Sequence, residues 1–482
     1  MRLVGVVVLV LLSVSLVQGV IQVPPYYPMV DGFDPQLSLS DRDMQDLQRW
    51  GFNALRLGVM WPGVAPTNGT FNETYIDVMA SIIKKLGSYG IYTIVDAHQD
   101  LFTRQCCGEG APDWAVDFGS FSLPFPLPAT GATVFPKDKN GYPPLSECLK
   151  YGFGQFYFAE QTMAAFQSLY DNRRGIQDGF ISYWSKLAQT FKDSPYVLGY
   201  ELINEPFAGN VYANPSLIVP GVADRANLYP MYQRLHRAIR QWDDQHVIFY
   251  ECATNDLWEV GFPEGPGGHA YDDRQAFAYH IYCGPQDSDG SPGSVILCDA
   301  EDTYFYSLYN STIKRLGGGY FMTEFGAMAN NSRGIDNMRY LTGQADRHLS
   351  SWTYWQFKGY NDITTSSQPT AESFYDAAGE LEVNKVKALS RTYARAIAGT
   401  PTAMNFDPET SVFQLTYILN LKVSQPTEIY LNEEYYYANG YVVSVVPSQI
   451  VQAKSPGKNL VWVYALPTAT DGATITITIS PK

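Results

Sequence analysis

YELINEPFAG, residues Tyr200–Gly209, runs from an apolar, β-rich segment straight into Asn204-Glu205-Pro206. A carboxylic acid at the end of a buried strand is costly to bury and cheap to solvate, so this strand is expected to open into a cleft. Runs of the same kind recur at Asn53–Val59, Tyr92–His98, Val197–Glu205, Val247–Cys252, Ala276–Cys283, Gly319–Phe325 and Ser351–Phe357. Stretches of helical period lie between them: Ser40–Trp50, Phe71–Tyr89, Gln177–Asp193, Arg225–Trp242, Asp302–Leu316 and Ile335–Leu349. Alternation of this kind predicts a parallel sheet covered by helices. Seven βα-like units point to an α/β fold, a (β/α)8 TIM barrel, in which functional groups gather at the C-terminal ends of the strands. A basic helix over Asn384–Ile397 is expected to close the ring, so the barrel domain is read as residues 20–399.

Three segments do not fit the alternation. Leu101 to Gly175 is a long insert carrying Trp114, Phe118, Phe121, Phe125, Phe135, Tyr151, Phe153, Phe156, Tyr157 and Phe158. That many rings argue against disorder, and the insert is expected to wall the cleft. From residue 400 to 482 the texture changes to short alternating strands such as SVFQLTYILN and ATITITIS, the pattern of a small β-sandwich read as a packing module. At the N-terminus, one arginine, an apolar run and the small residue Gly19 predict a secretory signal over residues 1–19.

Export agrees with the sequons at Asn68, Asn72, Asn310 and Asn330. It also makes disulfides the expected state of the six cysteines, with Cys283–Cys298 the preferred local pair. The expected location is extracellular, a digestive lumen or a lysosome-like compartment. A formal charge of −15 argues against a nucleic-acid partner. Aromatic residues make up 14% of the chain, enough that some are expected to face a ligand.

Read at their ends only, the strands supply Arg56 (ALRLGV), His98 (VDAHQD), Asn204 and Glu205 (LINEP), His280 and Tyr282 (AYHIYC), Glu324 (MTEFG) and Trp355 (TYWQF). Two glutamates from different strands, with these neighbours and a tryptophan as stacking surface, suit acid–base chemistry on a sugar. The histidines stand singly, without His-x-x-x-His or Cys-x-x-Cys spacing, so no metal and no other cofactor is expected. A Gly-x-Ser-x-Gly elbow is also missing.

LINEP and TEFG, with the arginine, histidines, tyrosine and tryptophan in this order, resemble the retaining enzymes of glycoside hydrolase family 5. More narrowly, PMVDGF, HQDLF and GAPDWA look like the endoglycoceramidases, which cut a glycosphingolipid between glycan and ceramide. The resemblance implies Glu205 as acid/base and Glu324 as nucleophile, their carboxyl groups about 5–5.5 Å apart, with the charge of Glu324 raising the pKa of Glu205. It also implies that Asn204 bonds the sugar 2-hydroxyl and that Arg56 and Tyr282 orient Glu324. His98, Asp100 and His280 would bond the sugar or the glutamates, and Trp355 would underlie the sugar. Implied partners are a glycosphingolipid, transient contact with membranes or micelles, and an activator protein or detergent-like lipid.

Family members carry a first strand with a lysine ahead of PPYYP, whereas no lysine precedes Lys84 here. The first strand is therefore expected to be either missing or supplied by the apolar leader. Two other readings use the same residues: a secreted β-glycanase acting on soluble polysaccharide, and a truncated, inactive form that binds glycan or lipid.

Overall fold

The computed structural model describes residues 18–22 and 39–482, apart from 132, 255, 285, 288 and 360–368. Residues 1–17 and 23–38, which hold most of the expected signal and the PMVDGF segment, lie outside the described residues. Eight parallel strands close into a barrel in chain order: β1 (Gln18–Gln22), β2 (Ala54–Gly58), β3 (Tyr92–Asp96), β4 (Val197–Glu201), β5 (Val247–Tyr250), β6 (Gln275–Ile281), β7 (Gly319–Gly326) and β8 (Ser351–Trp355). The seven expected strands are β2 to β8. The leader supplies the eighth, with Gly19 beside both Ala54 of β2 and Thr353 of β8. Asn53 fixes this register: its backbone N–H donates to Gln18 O, and its side-chain Oδ1 accepts from Gln18 N, each at 2.9 Å. The cleavage point expected after Gly19 falls inside this strand. β1 carries no lysine.

Local chemistry sets the helices. α1 (Asp41–Arg49) starts with a capping box, in which Ser40 Oγ accepts from Asp43 N while Ser40 N donates to the Asp43 carboxylate. In α2 (Glu73–Ser88), Asn72 caps the N-terminus and Ile76, Met79, Ile83 and Leu86 form one buried stripe at helical spacing. Each such side chain contributes roughly 1.5–3 kcal/mol by leaving water. The remaining major helices are α3 (Glu160–Tyr170) within the insert, α4 (Ile176–Phe191), α5 (Tyr229–Arg240), α6 (Val295–Leu316), α7 (Ser332–His348) and α8 (Val383–Leu389). α6 begins earlier than its sequence pattern predicts, because Ser294 caps it and the Cys283–Cys298 disulfide pins its first turn. A second disulfide joins Cys107 to Cys148, and Cys106 and Cys252 are free and buried.

The closing helix is shorter than the expected Asn384–Ile397. After α8 the chain turns extended as β9 (Tyr393–Ala396), which already pairs with the sandwich, so that domain starts some residues ahead of the expected boundary at 400. β-branched and aromatic alternation continues through β10 (Gly399–Asp407), β11 (Val412–Leu419), β12 (Thr427–Tyr430), β13 (Tyr441–Val446), β14 (Val451–Gly457), β15 (Leu460–Ala465) and β16 (Thr474–Pro481). They form two four-stranded sheets, β10-β11-β16-β13 and β14-β15-β12-β9. The sandwich docks on the turn leading into β2: Tyr393 Oη donates to Gly51 O at 2.6 Å and Tyr430 Oη to Arg49 O at 2.8 Å. Gly51 has φ +89°, and a Cβ there would lie 2.2 Å from the Tyr430 ring, so this contact requires glycine. The docking face is the N-terminal end of the barrel, opposite the strand ends that carry Glu205 and Glu324.

Candidate active site

Side chains two apart on a strand share a face, and the barrel interior changes character over that step. Ala54, Ile94, Phe249, Ala276, Ala278 and Phe321 form an apolar layer. Two residues further along β2, β3 and β6, and just past the end of β5, stand Arg56, Asp96, His280 and Glu251, joined by Glu201 of β4. Arg56 is fully buried at the centre of this upper layer. Its Nη1 donates to Glu324 Oε2 at 2.9 Å, its Nη2 to Asn204 Oδ1 at 2.7 Å, and its Nε to Glu201. Asp96 Oδ2 lies 3.3 Å from Nη2. Burial acts against the charge on Arg56, but the carboxylates of Asp96, Glu201, Glu324 and Glu251 outweigh it and hold the guanidinium protonated.

Glu205 and Glu324 face each other across this layer. His280 Nδ1 stands between them, 2.8 Å from Glu205 Oε1 and 3.8 Å from Glu324 Oε1, and one carboxylate oxygen of each glutamate lies within 4.8 Å of the other. Oxygens this near suit a retaining glycosidase, whose carboxyl groups stand roughly 5–5.5 Å apart, better than the water-sized gap of about 6.5–9.5 Å that inversion needs. The two acids have different partners. Glu324 accepts from Arg56 and, at 2.6 Å, from Tyr282 Oη. Burial keeps the Tyr282 phenol well above its ordinary pKa, so it remains a donor. Glu205 meets His280, whose pKa burial lowers to about 4, leaving the ring neutral.

Burial pushes both glutamates above the usual carboxylate range. For Glu205 burial is the leading cause, which corrects the expectation that the charge of Glu324 does this. Arg56 and Tyr282 both donate to Glu324, whereas Glu205 meets the neutral His280 ring, and this asymmetry favours the charged form of Glu324. Glu205 itself sits at φ +39°, a left-handed backbone conformation that costs about 1–3 kcal/mol for a residue with a side chain. Gln99 Nε2 holds it by donating to Asn204 O at 2.7 Å and Glu205 O at 3.0 Å, and Glu251 Oε2 accepts the Glu205 N–H at 3.3 Å.

The third side of the site belongs to the β3 loop. His98 Nδ1 lies 2.9 Å from Asp96 Oδ2, and its Nε2 lies 3.5 Å from Asp100 Oδ2. For His98 burial favours the neutral ring, but the two carboxylates outweigh it and raise its pKa well above the ordinary value. The Trp355 ring stacks on His98, centroids 5.2 Å apart. Asn204 spends its Oδ1 on Arg56 and one amide hydrogen on Gln99 O at 2.9 Å, which leaves one hydrogen for a ligand. These groups open into a pocket of about 230 Å³ lined by His98, Asp100, Phe153, Glu205, Tyr282, Gln286, Glu324 and Trp355.

All nine residues singled out in the sequence therefore converge on one site. Of the insert's rings, Phe153 lines the pocket and Tyr157 donates to Asp100 Oδ1 at 3.1 Å. Phe125, Phe135, Tyr151 and Phe156 pack on one another as the insert's own core. Reading strand ends alone missed Asp96, Gln99, Glu201, Glu251 and Gln286. For Glu201 and Asp96 the overlooked signal is a charge on the inward face of an apolar strand.

Residues 33–361 match the family described as Cellulase (glycosyl hydrolase family 5), and residues 391–479 match the glycoside hydrolase family 5 C-terminal domain. An endoglycoceramidase of Cyanea nozakii is 37% identical over 466 residues, covering 96% of this chain and 89% of that protein. One of Hydra vulgaris is 38% identical over 449 residues, covering 91% of this chain and 80% of that protein. Among solved structures, endo-glycoceramidase II from Rhodococcus sp., in its ganglioside GM3 complex, matches with a TM-score of 0.75 at 22% identity over 97% of each chain. That last likeness carries the fold, barrel and sandwich together.

Proposed function

We infer from its place in glycoside hydrolase family 5, to which the chain belongs as an endoglycoceramidase-like member, that this enzyme hydrolyses the linkage between oligosaccharide and ceramide in glycosphingolipids. The observation that carries the mechanism is the pair of carboxylate oxygens within 4.8 Å, with Arg56 and Tyr282 both donating to Glu324. Glu324, ionised by Arg56 and Tyr282, attacks the anomeric carbon. Glu205, kept protonated by burial, gives its proton to the departing ceramide oxygen. A water then enters on the Glu205 side, loses a proton to Glu205 and releases the sugar from Glu324 with its anomeric configuration retained. The spare amide hydrogen of Asn204 reaches the 2-hydroxyl, and Trp355 underlies the ring. The substrate assignment is supported by the names of the two relatives and by Phe153 of the insert lining an otherwise polar pocket.

Export through the leader is part of the same proposal. Two disulfides and exposed sequon asparagines at 68, 72 and 330 support it. The test is incubation of the purified protein with a ganglioside. Intact oligosaccharide and ceramide are the expected products, and Glu205→Gln and Glu324→Gln should release neither. Cleavage of soluble β-glucan alone, or binding without turnover, would overturn the assignment.

A further inference from the structure

Resting on that reading, we propose that the rim built by the loops after β4, β5 and β6 is a bilayer-docking surface. It would insert into a neutral lipid interface and hold the pocket mouth against the membrane that contains the substrate. Six large apolar side chains stand out on these three successive loops: Ile218 and Val219 after β4, Leu257 and Trp258 after β5, and Ile296 and Leu297 at the start of α6 after β6. Ile296 is 81% exposed, Trp258 70% and Ile218 64%, values that single scattered residues show but neighbouring ones on a monomer rarely do.

They are neighbours. Tyr304 lies two helical turns after Leu297 and so shares its face of α6. The Trp258 ring packs edge-on to Tyr304 at 6.3 Å, and Tyr304 Oη donates to Leu257 O at 3.2 Å. The β4 loop is tied in by the Gly221 N–H bonding the Asp256 carboxylate and by the Arg225–Glu259 ion pair.

The same loops are anchored at the catalytic residues. Thr254 N donates to Pro206 O at 3.0 Å, one residue beyond Glu205. Cys283, one residue beyond Tyr282, is bonded to Cys298, one residue beyond Leu297. The patch thus flanks the pocket along the arc from Glu205 to Tyr282, which includes the acid that faces the departing oxygen. The sugar ring is held on the opposite side by Trp355 and His98. Ceramide therefore leaves toward the patch. An apolar rim with tryptophan and tyrosine among isoleucine and leucine is the composition that settles at a lipid interface. The charges around it are acidic, with Asp256, Glu259, Asp299 and Glu301 on these segments, and Arg225 is paired to Glu259. Docking is therefore by apolar insertion, on zwitterionic rather than anionic lipid.

The test is flotation of the full chain with phosphatidylcholine vesicles free of glycolipid, comparing the parent with the Trp258→Ser/Ile296→Ser double variant. The parent should float with the vesicles and keep doing so at high salt. The variant's partition should fall by about a hundredfold, since burial of each side chain is worth at least about tenfold. Its kcat/KM should fall on glycolipid embedded in vesicles yet stay within about twofold on a soluble short-chain glycoside, which also reports that it folds. Equal flotation of parent and variant would overturn the proposal. So would a parent dimer dissolved by the substitutions with vesicle binding unchanged, which would assign the patch to a second copy. Because the vesicles hold no substrate, failure to float is distinct from failure to cleave a ganglioside.

Discussion

Replacing Tyr282 with phenylalanine isolates the device that keeps Glu324 charged. The ring and its packing remain, and a single hydroxyl is lost. Glu324 Oε1 then loses its 2.6 Å donor, leaving the 2.9 Å bond from Arg56 to Oε2, because His280 Nδ1 at 3.8 Å is beyond hydrogen-bonding reach. A hydrogen bond to a charged group is worth about 1.5–3 kcal/mol, equivalent to roughly 1–2 pK units. The bond favours the ionised form, so its removal raises the pKa of Glu324 beyond the rise that burial already causes. Attack needs the carboxylate, and activity is lost as pH falls through that pKa. The acid limb of kcat/KM against pH should therefore move up by about 1–2 units on a soluble aryl glycoside, while the basic limb, set by Glu205, stays in place. An unmoved acid limb in a folded variant would refute the role of Tyr282, and movement of the basic limb instead would reverse the assignment of the two glutamates.

Glu205→Gln should lower turnover of a glycolipid by about 10²–10⁴-fold. With a leaving group that needs no proton it should still form the glycosyl-enzyme in a rapid burst, with azide restoring turnover; equal loss on both substrates would contradict its role as the acid. Arg56→Ala leaves Glu324, Glu201 and Asp96 without their shared cation, and breaking such a buried pairing costs about 3–5 kcal/mol. Calorimetry should show a clear drop in barrel stability that Arg56→Lys does not restore, since one ammonium cannot match three directional donors. N-terminal sequencing of the exported protein should find a chain that starts at or before Gln18 and keeps β1 intact. A start at Val20 with full activity would show that the Gln18 to Asn53 bonds are dispensable.

Most of the barrel was legible because parallel strands buried on both faces leave nearly continuous apolar runs. The first strand was ambiguous for a physical reason: an apolar leader and a buried strand have the same composition, and the deciding information is the pairing of Gln18 with Asn53, which no local pattern displays. The end of the barrel was misread because Tyr393-Ala-Arg-Ala396 suits helix and strand alike, and its pairing with β12 decides. At the site, residues that break the apolar run at a strand end, such as Glu205 and Glu324, were visible. Glu201 was not, because it precedes Leu202 and Ile203 inside the run and only the closed barrel turns it toward Arg56. The aromatic insert shows the opposite error. Abundance of rings suggests a ligand, but Phe125, Phe135, Tyr151 and Phe156 build the insert's own core, and Trp114, Tyr157 and Phe158 pack against the barrel's rings Trp61 and Phe207.

Glu324 is expected to form a covalent bond to the sugar while Glu205 manages the proton. Incubation with a 2-deoxy-2-fluoro glycoside, whose intermediate hydrolyses slowly, followed by mass spectrometry of the peptides, tests it most directly. One added fluorosugar is expected on the peptide containing Met322-Thr-Glu-Phe-Gly326, localised to Glu324 and absent in Glu324→Gln. A label on Glu205, or a product of inverted configuration with no labelled peptide, would contradict it.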